Sequence, residues 1–326
     1  MLLGTPLLAA QALPGAPLLG LPLQCMPGVD CWIANLMDLD PGAGVRDYAC
    51  GRLTYDKHDG IDFALRDDRA MQEGVPVVAA AAGVVRAVRD EEPDVSVRDR
   101  TLSAVAGREC GNGLRIDHGS DLQTQYCHLR RGSLRVRRGE RVEAGQPLGL
   151  VGLSGQTEYP HLHFIVRRSG RPIDPFTRVD SASACPVTRH PLWNAQALQQ
   201  LSYATRILYN FGVADGSPKA ADVRSGRYRS RSLSPQAPVL AVWLEAFGVS
   251  AGDVVDIEVL APDGAALLHH RSAIERDQAR IFRLAGRKRK ASGWPSGLYR
   301  IRISISPRAG SPGEATRVNF TAEVGS

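Results

Sequence analysis

Gly113-Leu-Arg-Ile-Asp117 and Leu122-Gln-Thr-Gln-Tyr126 alternate apolar and polar residues on either side of His118-Gly119-Ser120-Asp121. A period of two, interrupted by a short polar turn, predicts a β-hairpin. Closing it brings Cys110 and Cys127 to nearly opposite positions, within disulfide reach; two unpaired buried thiols are the alternative. Outward from the hairpin, Val75–Ala80, Gly83–Val88, Arg141–Leu150 and His161–Arg167 carry the same kind of strand signal. No helical period interrupts them between Tyr55 and Pro175. The expectation for this stretch is an all-β domain.

The flanks differ. Residues 1–24 are apolar and uncharged, like a secretory leader without its positive start, and prolines 6, 14, 17 and 22 argue against a membrane-spanning helix. Residues 25–54 carry Cys25, Cys31 and Cys50 among turn formers and predict an irregular, cross-linked lead-in to a domain over 55–185. In 186–235, Trp193, Ala197, Leu201, Ala204 and Leu208 recur at helical spacing, with Pro191 near the start and Gly212 at the stop, so one connecting helix is expected over Pro191–Phe211. Gly216–Pro235 then reads as a linker. Within 236–326, Val239–Ala246, Val254–Leu260, Ala266–His270, Ala279–Leu284, Leu298–Ile305 and Thr316–Val324 predict a small β-sandwich. It resembles an immunoglobulin or fibronectin type III module in strand spacing alone. The whole is mainly β.

A net charge of +6 and a pI near 9.1 suggest an anionic partner. Nucleic acid, anionic lipid and cell-wall polymer all satisfy charge alone. The run Arg287-Lys288-Arg289-Lys290 could touch such a polymer, although a solvated loop explains it as well. Lysines occur only at 57, 219, 288 and 290. That excludes a lipoyl or biotinyl carrier, which the glycine-rich runs near 74–85 and 138–149 otherwise resemble, because no attachment lysine lies between Lys57 and Lys219.

Chemistry concentrates in five residues: His58 and Asp62 in KHDGID, His128 in QYCHL, and His161 and His163 in YPHLHF. Two neutral imidazoles and a carboxylate hold a zinc ion with its fourth position open to water, and the remaining histidines can move protons. On a strand, His161 and His163 share a face with Leu162 opposite, and spacing alone leaves open which of the two binds metal. Cys127 neighbours His128 on a strand, so alternation turns it away from a shared ligand role. A lone histidine in a β-protein is more often packed or solvated, and His118, His190, His269 and His270 are read that way.

His-x-x-x-Asp, a lone downstream His and then His-x-His resembles the M23 zinc metallopeptidases, the lysostaphin-like enzymes that cut peptide bonds in bacterial peptidoglycan. The resemblance covers about Tyr55 to Pro175. It implies an antiparallel sheet with a barrel-sandwich framework, zinc held by His58, Asp62 and His163, and catalytic roles for His128 and His161. The family pattern gives Asp59 no role, which leaves it as a turn residue. There is no His-Glu-x-x-His, so histidines rather than a glutamate would serve as base. Implied partners are peptidoglycan peptides and, further, an anionic wall polymer or another envelope protein; no nucleic acid and no transmembrane span are expected. The implied location is periplasmic or extracellular, where cysteines oxidise. A non-catalytic regulator or adaptor of another wall hydrolase is the alternative, disfavoured because all five positions match. Asp90–Arg108 would be a surface loop overhanging the site, and Ser154-Gly155-Gln156-Thr157 a rim of its groove.

Overall fold

Ten strands come from the first half of the described chain: Cys31–Asn35 (β1), Ile61–Leu65 (β2), Pro76–Val78 (β3), Gly83–Arg89 (β4), Asn112–Asp117 (β5), Leu122–Leu129 (β6), Arg141–Val142 (β7), Pro147–Leu150 (β8), His161–Arg168 (β9) and Arg171–Ile173 (β10). The computed structural model describes residues 17–311 and 313–325, so most of the leader-like stretch 1–24 lies outside the described residues. One antiparallel sheet runs β1-β2-β9-β6-β5-β4-β7, with β10 on β9, while β3 and β8 pair separately. The expected hairpin is β5–β6, and Cys110 and Cys127 are joined across its open end. The expected strand Arg141–Leu150 is instead split into β7 and β8 by a turn in which Gln146 N–H donates to Glu143 O.

Register decides which face of this sheet can do chemistry. Cys127 lies opposite His163 on β9, and His163 lies opposite Asp62 on β2. Because alternate side chains share a face, His161, His163, Ile165 and Arg167 stand on one side with Asp62. Leu162, Phe164 and Val166 turn the other way with Ile61, Phe63 and Tyr126, and each of these six is at most 1% exposed. Burying such a side chain contributes roughly 1.5–3 kcal/mol, so slipping β9 by one residue would cost core packing and the site together.

The lead-in is more regular than its composition suggests. β1 pairs with β2, with Asn35 opposite Asp62. Two further disulfides, Cys25–Cys31 and Cys50–Cys185, tie this region down. Leu19 and Leu23 are buried in the same core, and Leu19 N–H donates to Leu192 O. The leader-like stretch and the core therefore overlap.

The expected helix over Pro191–Phe211 is a correction. A short helix, Asp68–Glu73 (α1), follows β2, and the connecting helix is only Ala195–Gln200 (α2), capped by the Asn194 side chain. Ile207–Ala214 is a strand (β11), antiparallel to Val239–Val249 (β13). Trp193, Ala197 and Leu201 bury in the first core and Leu208 in the second, so their spacing recorded burial from two different elements. The expected linker likewise holds a helix, Ala220–Arg224 (α3), and a strand, Ser232–Leu233 (β12).

Every expected C-terminal strand is present: β13, Val254–Leu260 (β14), Ala266–Ala273 (β15), Gln278–Lys288 (β16), Gly297–Ser306 (β17) and Thr316–Val324 (β18). They form a three-stranded sheet, β11-β13-β16, and a five-stranded sheet, β12-β18-β17-β14-β15. Leu240, Val242 and Leu244 of the first and Val255, Ile257, Ile301 and Ile303 of the second share one core, which makes a sandwich.

Candidate metal centre

His58 closes the turn that leads into β2, where its N–H donates to Tyr55 O (3.0 Å). Its Nδ1–H donates to the Leu36 carbonyl (2.6 Å). A carbonyl only accepts, so the proton sits on Nδ1 and the Nε2 lone pair faces inward. Nε2 lies 3.1 Å from Asp62 Oδ1 and 3.1 Å from His163 Nδ1, and the last two atoms are 2.8 Å apart. Tetrahedral zinc with bonds of about 2.0–2.1 Å spaces its ligand atoms about 3.3 Å apart. The three atoms need to open by only a few tenths of an ångström, so the set fits such an ion. Asn35 Nδ2 donates to Asp62 Oδ2 (2.8 Å), which leaves Oδ1 for the centre.

Electrostatics support the same reading. Burial would raise the Asp62 carboxyl, yet His58 and His161 hold it well below its usual value. Burial would lower His163, but hydrogen bonds to Asp59 and Asp62 carry it up to about 9. The cluster favours positive charge at the point where the three ligand atoms converge, supplied either by a second proton on the His163 ring or by a metal ion that displaces it.

His128 and His161 stand beside that point with ring centroids 4.7 Å apart. His128 Nδ1–H donates to Ser154 O (2.7 Å) and His161 Nδ1–H to Tyr159 O (2.9 Å). Each therefore carries a lone pair on Nε2, and His161 Nε2 lies 3.4 Å from Asp62 Oδ1. Burial, then the neighbouring His161 and His163, pushes His128 well below its ordinary value, so it is neutral at neutral pH. His128 is also a non-glycine residue at φ 65°, a strained conformation costing on the order of 1–3 kcal/mol. The strand alternation expected at this point fails there, and Cys127 and His128 both border the groove. Cys127 is occupied by its disulfide.

The groove has a volume of about 380 Å³ and is edged by Tyr55, Lys57, Glu109, Gln156 and Arg167. Ser154 is part of the frame: its Oγ accepts from Asn112 N–H and donates to Leu129 O, while its carbonyl orients His128. Residues 90–108 include a 3₁₀ turn, Leu102–Val105. They reach the rim through Arg98 on Glu158 and Arg100 on Gly155 O.

All five expected site residues are brought together, and the other histidines are not. His118 is held by Ala82 O and Thr124, and His269 lies on β15 against Asp256. Asp59 corrects the sequence reading. It is not only a turn residue, because its Oδ1 accepts from His163 Nε2–H at 3.0 Å. Its partner is 104 residues away, and no local pattern could have signalled the contact. Among the described residues two other clusters have metal-like spacing. In the cluster of Cys25, Asp30 and Cys31 the two thiols are joined in a disulfide, and Asp256, Glu258 and His269 lie on the surface with Arg302 on Glu258.

Residues 56–175 match Peptidase family M23. Among curated proteins, the chain is 32% identical over 130 residues to the peptidoglycan DD-endopeptidase ShyA of Vibrio cholerae serotype O1, covering 40% of this chain and 25% of that protein. It is 31% identical over 122 residues to the DD-carboxypeptidase/endopeptidase Mpg of Neisseria meningitidis serogroup B, covering 37% and 23%. The chain thus spans about a quarter of the length of these relatives. Among solved structures, a zinc-containing peptidase from Vibrio cholerae aligns at 27% identity and a TM-score of 0.28, covering 44% of this chain and 38% of that one. The catalytic domain of lysostaphin from Staphylococcus simulans aligns at 21% identity and a TM-score of 0.28, covering 43% and 85%.

Proposed function

We propose that this chain, which carries an M23 domain, is a zinc-dependent endopeptidase that hydrolyses peptide bonds of bacterial peptidoglycan outside the cytoplasm. The observation that carries the proposal is the convergence of His58 Nε2, Asp62 Oδ1 and His163 Nδ1 beside two further imidazoles held in a proton-accepting tautomer. His58, Asp62 and His163 would hold the ion as three protein ligands and leave one position open. When bound there, zinc supplies Lewis acidity, lowering the pKa of a water to about 7 and polarising the scissile carbonyl.

The chain's own residues do the rest. The bare Nε2 of His128 or His161 accepts a proton from the attacking water. The imidazolium so formed faces the oxygen on which negative charge develops, and returns the proton to the departing amine as the C–N bond breaks. The carbonyls of Ser154 and Tyr159 keep both rings in the productive tautomer throughout.

The substrate class is supported by the M23 match and by the names of the relatives, one a peptidoglycan DD-endopeptidase and the other a DD-carboxypeptidase/endopeptidase. Export is supported by three disulfides, which persist in oxidising compartments. Among the described residues no helix is long and apolar enough to cross a membrane. The test is digestion of purified sacculi of several chemistries, with and without chelator, and fragment identification by mass. New peptide termini that vanish with chelator and return with zinc are expected; intact sacculi of every chemistry in the presence of zinc would contradict the proposal.

A further inference from the structure

Asp59 is bonded in a way that its neighbours in the turn are not. Oδ1 accepts from His163 Nε2–H (3.0 Å) and Oδ2 accepts from Arg167 (3.2 Å). Arg167 Nε donates in turn to Gln125 Oε1 (3.3 Å), and the Gln125 amide rests on the sulphurs of Cys110 and Cys127. His163 and Arg167 are four residues apart on β9 and so share a face. The carboxylate is therefore aimed at the imidazole by a strand, a side-chain relay and a disulfide.

We infer that Asp59 is a positioning residue that fixes His163 in the Nε2–H tautomer, leaving Nδ1 bare to bind zinc. The inference rests on the proposed ligand set and adds to it a residue that the sequence pattern leaves without a role. An imidazole binds a metal through a lone pair, and a neutral ring has one proton to place on either nitrogen. A carboxylate accepts and cannot donate. Asp62 Oδ1, 2.8 Å from Nδ1, would be a fellow ligand when the ion is bound, so the carboxylate left to take the ring's one proton is Asp59, at Nε2. The same hydrogen bond restrains ring rotation and makes Nδ1 more basic toward a cation. Stability alone is a poor account of the contact, because the Asp59–Arg167 pair has a side-chain exposure of 41% at the acid, and pairs of that kind contribute little.

The experiment measures zinc affinity of the full metal-free chain by competition with a chromophoric chelator. The proteins are wild type, Asp59→Ala, Asp59→Asn and Asp56→Asn. Loss of such a second carboxylate typically weakens metal binding about 10–100-fold, and that range is expected for Asp59→Ala. Asp59→Asn keeps an acceptor oxygen without the charge, so a smaller loss is expected, and it guards against misfolding of the alanine variant. Asp56→Asn removes the same charge one turn away, where the partner is Lys57, and should bind zinc as wild type does. Nitrogen-15 spectra of the zinc-loaded wild type should place the His163 proton on Nε2. Wild-type affinity in both Asp59 variants would overturn the inference while leaving the metal site intact, as would an equal loss in Asp56→Asn. A wild-type chain that takes up no zinc would overturn the ligand assignment and this inference together.

Discussion

Gly60 separates His58 from Asp62 and has no room for a side chain. A Cβ there would stand 2.6 Å from Phe164 O and 2.8 Å from His163 Cε1. The backbone of β2 passes that close to β9 because the two candidate ligands on these strands must meet. Gly60→Ala should therefore push the His163 ring and the β2–β9 pairing apart. Overpacking of this kind costs about 1–3 kcal/mol, and zinc affinity should fall with it. Denaturant unfolding with zinc titration on the same protein checks both, and a variant unchanged in both would contradict the geometry. At this scale the five candidate site residues were legible through the family pattern of His-x-x-x-Asp, a lone His and His-x-His, while spacing alone left the roles of His161 and His163 open. Asp59 was not, because its meaning depends on a partner brought across by sheet pairing. The left-handed backbone at His128 was hidden for a similar reason: it follows from the register shift between Asn112 and Leu114 in β5–β6.

Elements were legible where alternation marked them, as in β5, β14 and β17, or where an apolar run stood apart between turn formers, as in β13. β11 was missed because it is buried nearly throughout. A strand covered on both faces does not alternate, and its apolar run joined that of α2 into an apparent helical period. The segment after β10 yields a prediction about pH. Asp174 Oδ1 accepts from Phe176 N–H, Thr177 N–H and Thr177 Oγ1–H, while its buried Oδ2 has no partner. Burial outweighs those bonds and raises the carboxyl from 3.8 to about 6. The folded chain then holds this proton more tightly than the unfolded chain does. Its contribution to stability is complete below the unfolded value and is lost as pH rises through about 6. Wild-type stability relative to Asp174→Asn should fall by on the order of 3 kcal/mol between about pH 4 and pH 7. Denaturant melts of both proteins, disulfides intact, measure the difference, and one that is flat with pH would refute it.

The two halves of the molecule meet at the site's back wall. Arg280 on β16 lies over the ring of Tyr159 (5.2 Å), donates to Tyr209 OH (2.8 Å) and pairs with buried Glu245 (3.2 Å). Tyr159 in turn lies against His161 (4.8 Å) and Phe247 (5.5 Å), and Asn35 links its hydroxyl to Asp62. The C-terminal sandwich thus braces the ring beside His161 rather than hanging free. Removing Arg280 leaves Glu245 with Arg224 as partner, so Arg280→Ala should cost about 3 kcal/mol, the lower end for a broken buried pair. Hydrolysis should fall with zinc content unchanged. Unfolding followed by tryptophan fluorescence tests the first statement, and an unmoved midpoint would show that the interface does not brace. The central claim is a division of labour among five residues, tested most directly by zinc content per chain in His163→Ala and His161→Ala. The account predicts no zinc and no hydrolysis in His163→Ala. It predicts one zinc per chain in His161→Ala, with hydrolysis reduced by about 10²–10⁴-fold. Zinc retained in His163→Ala and lost from His161→Ala would contradict it.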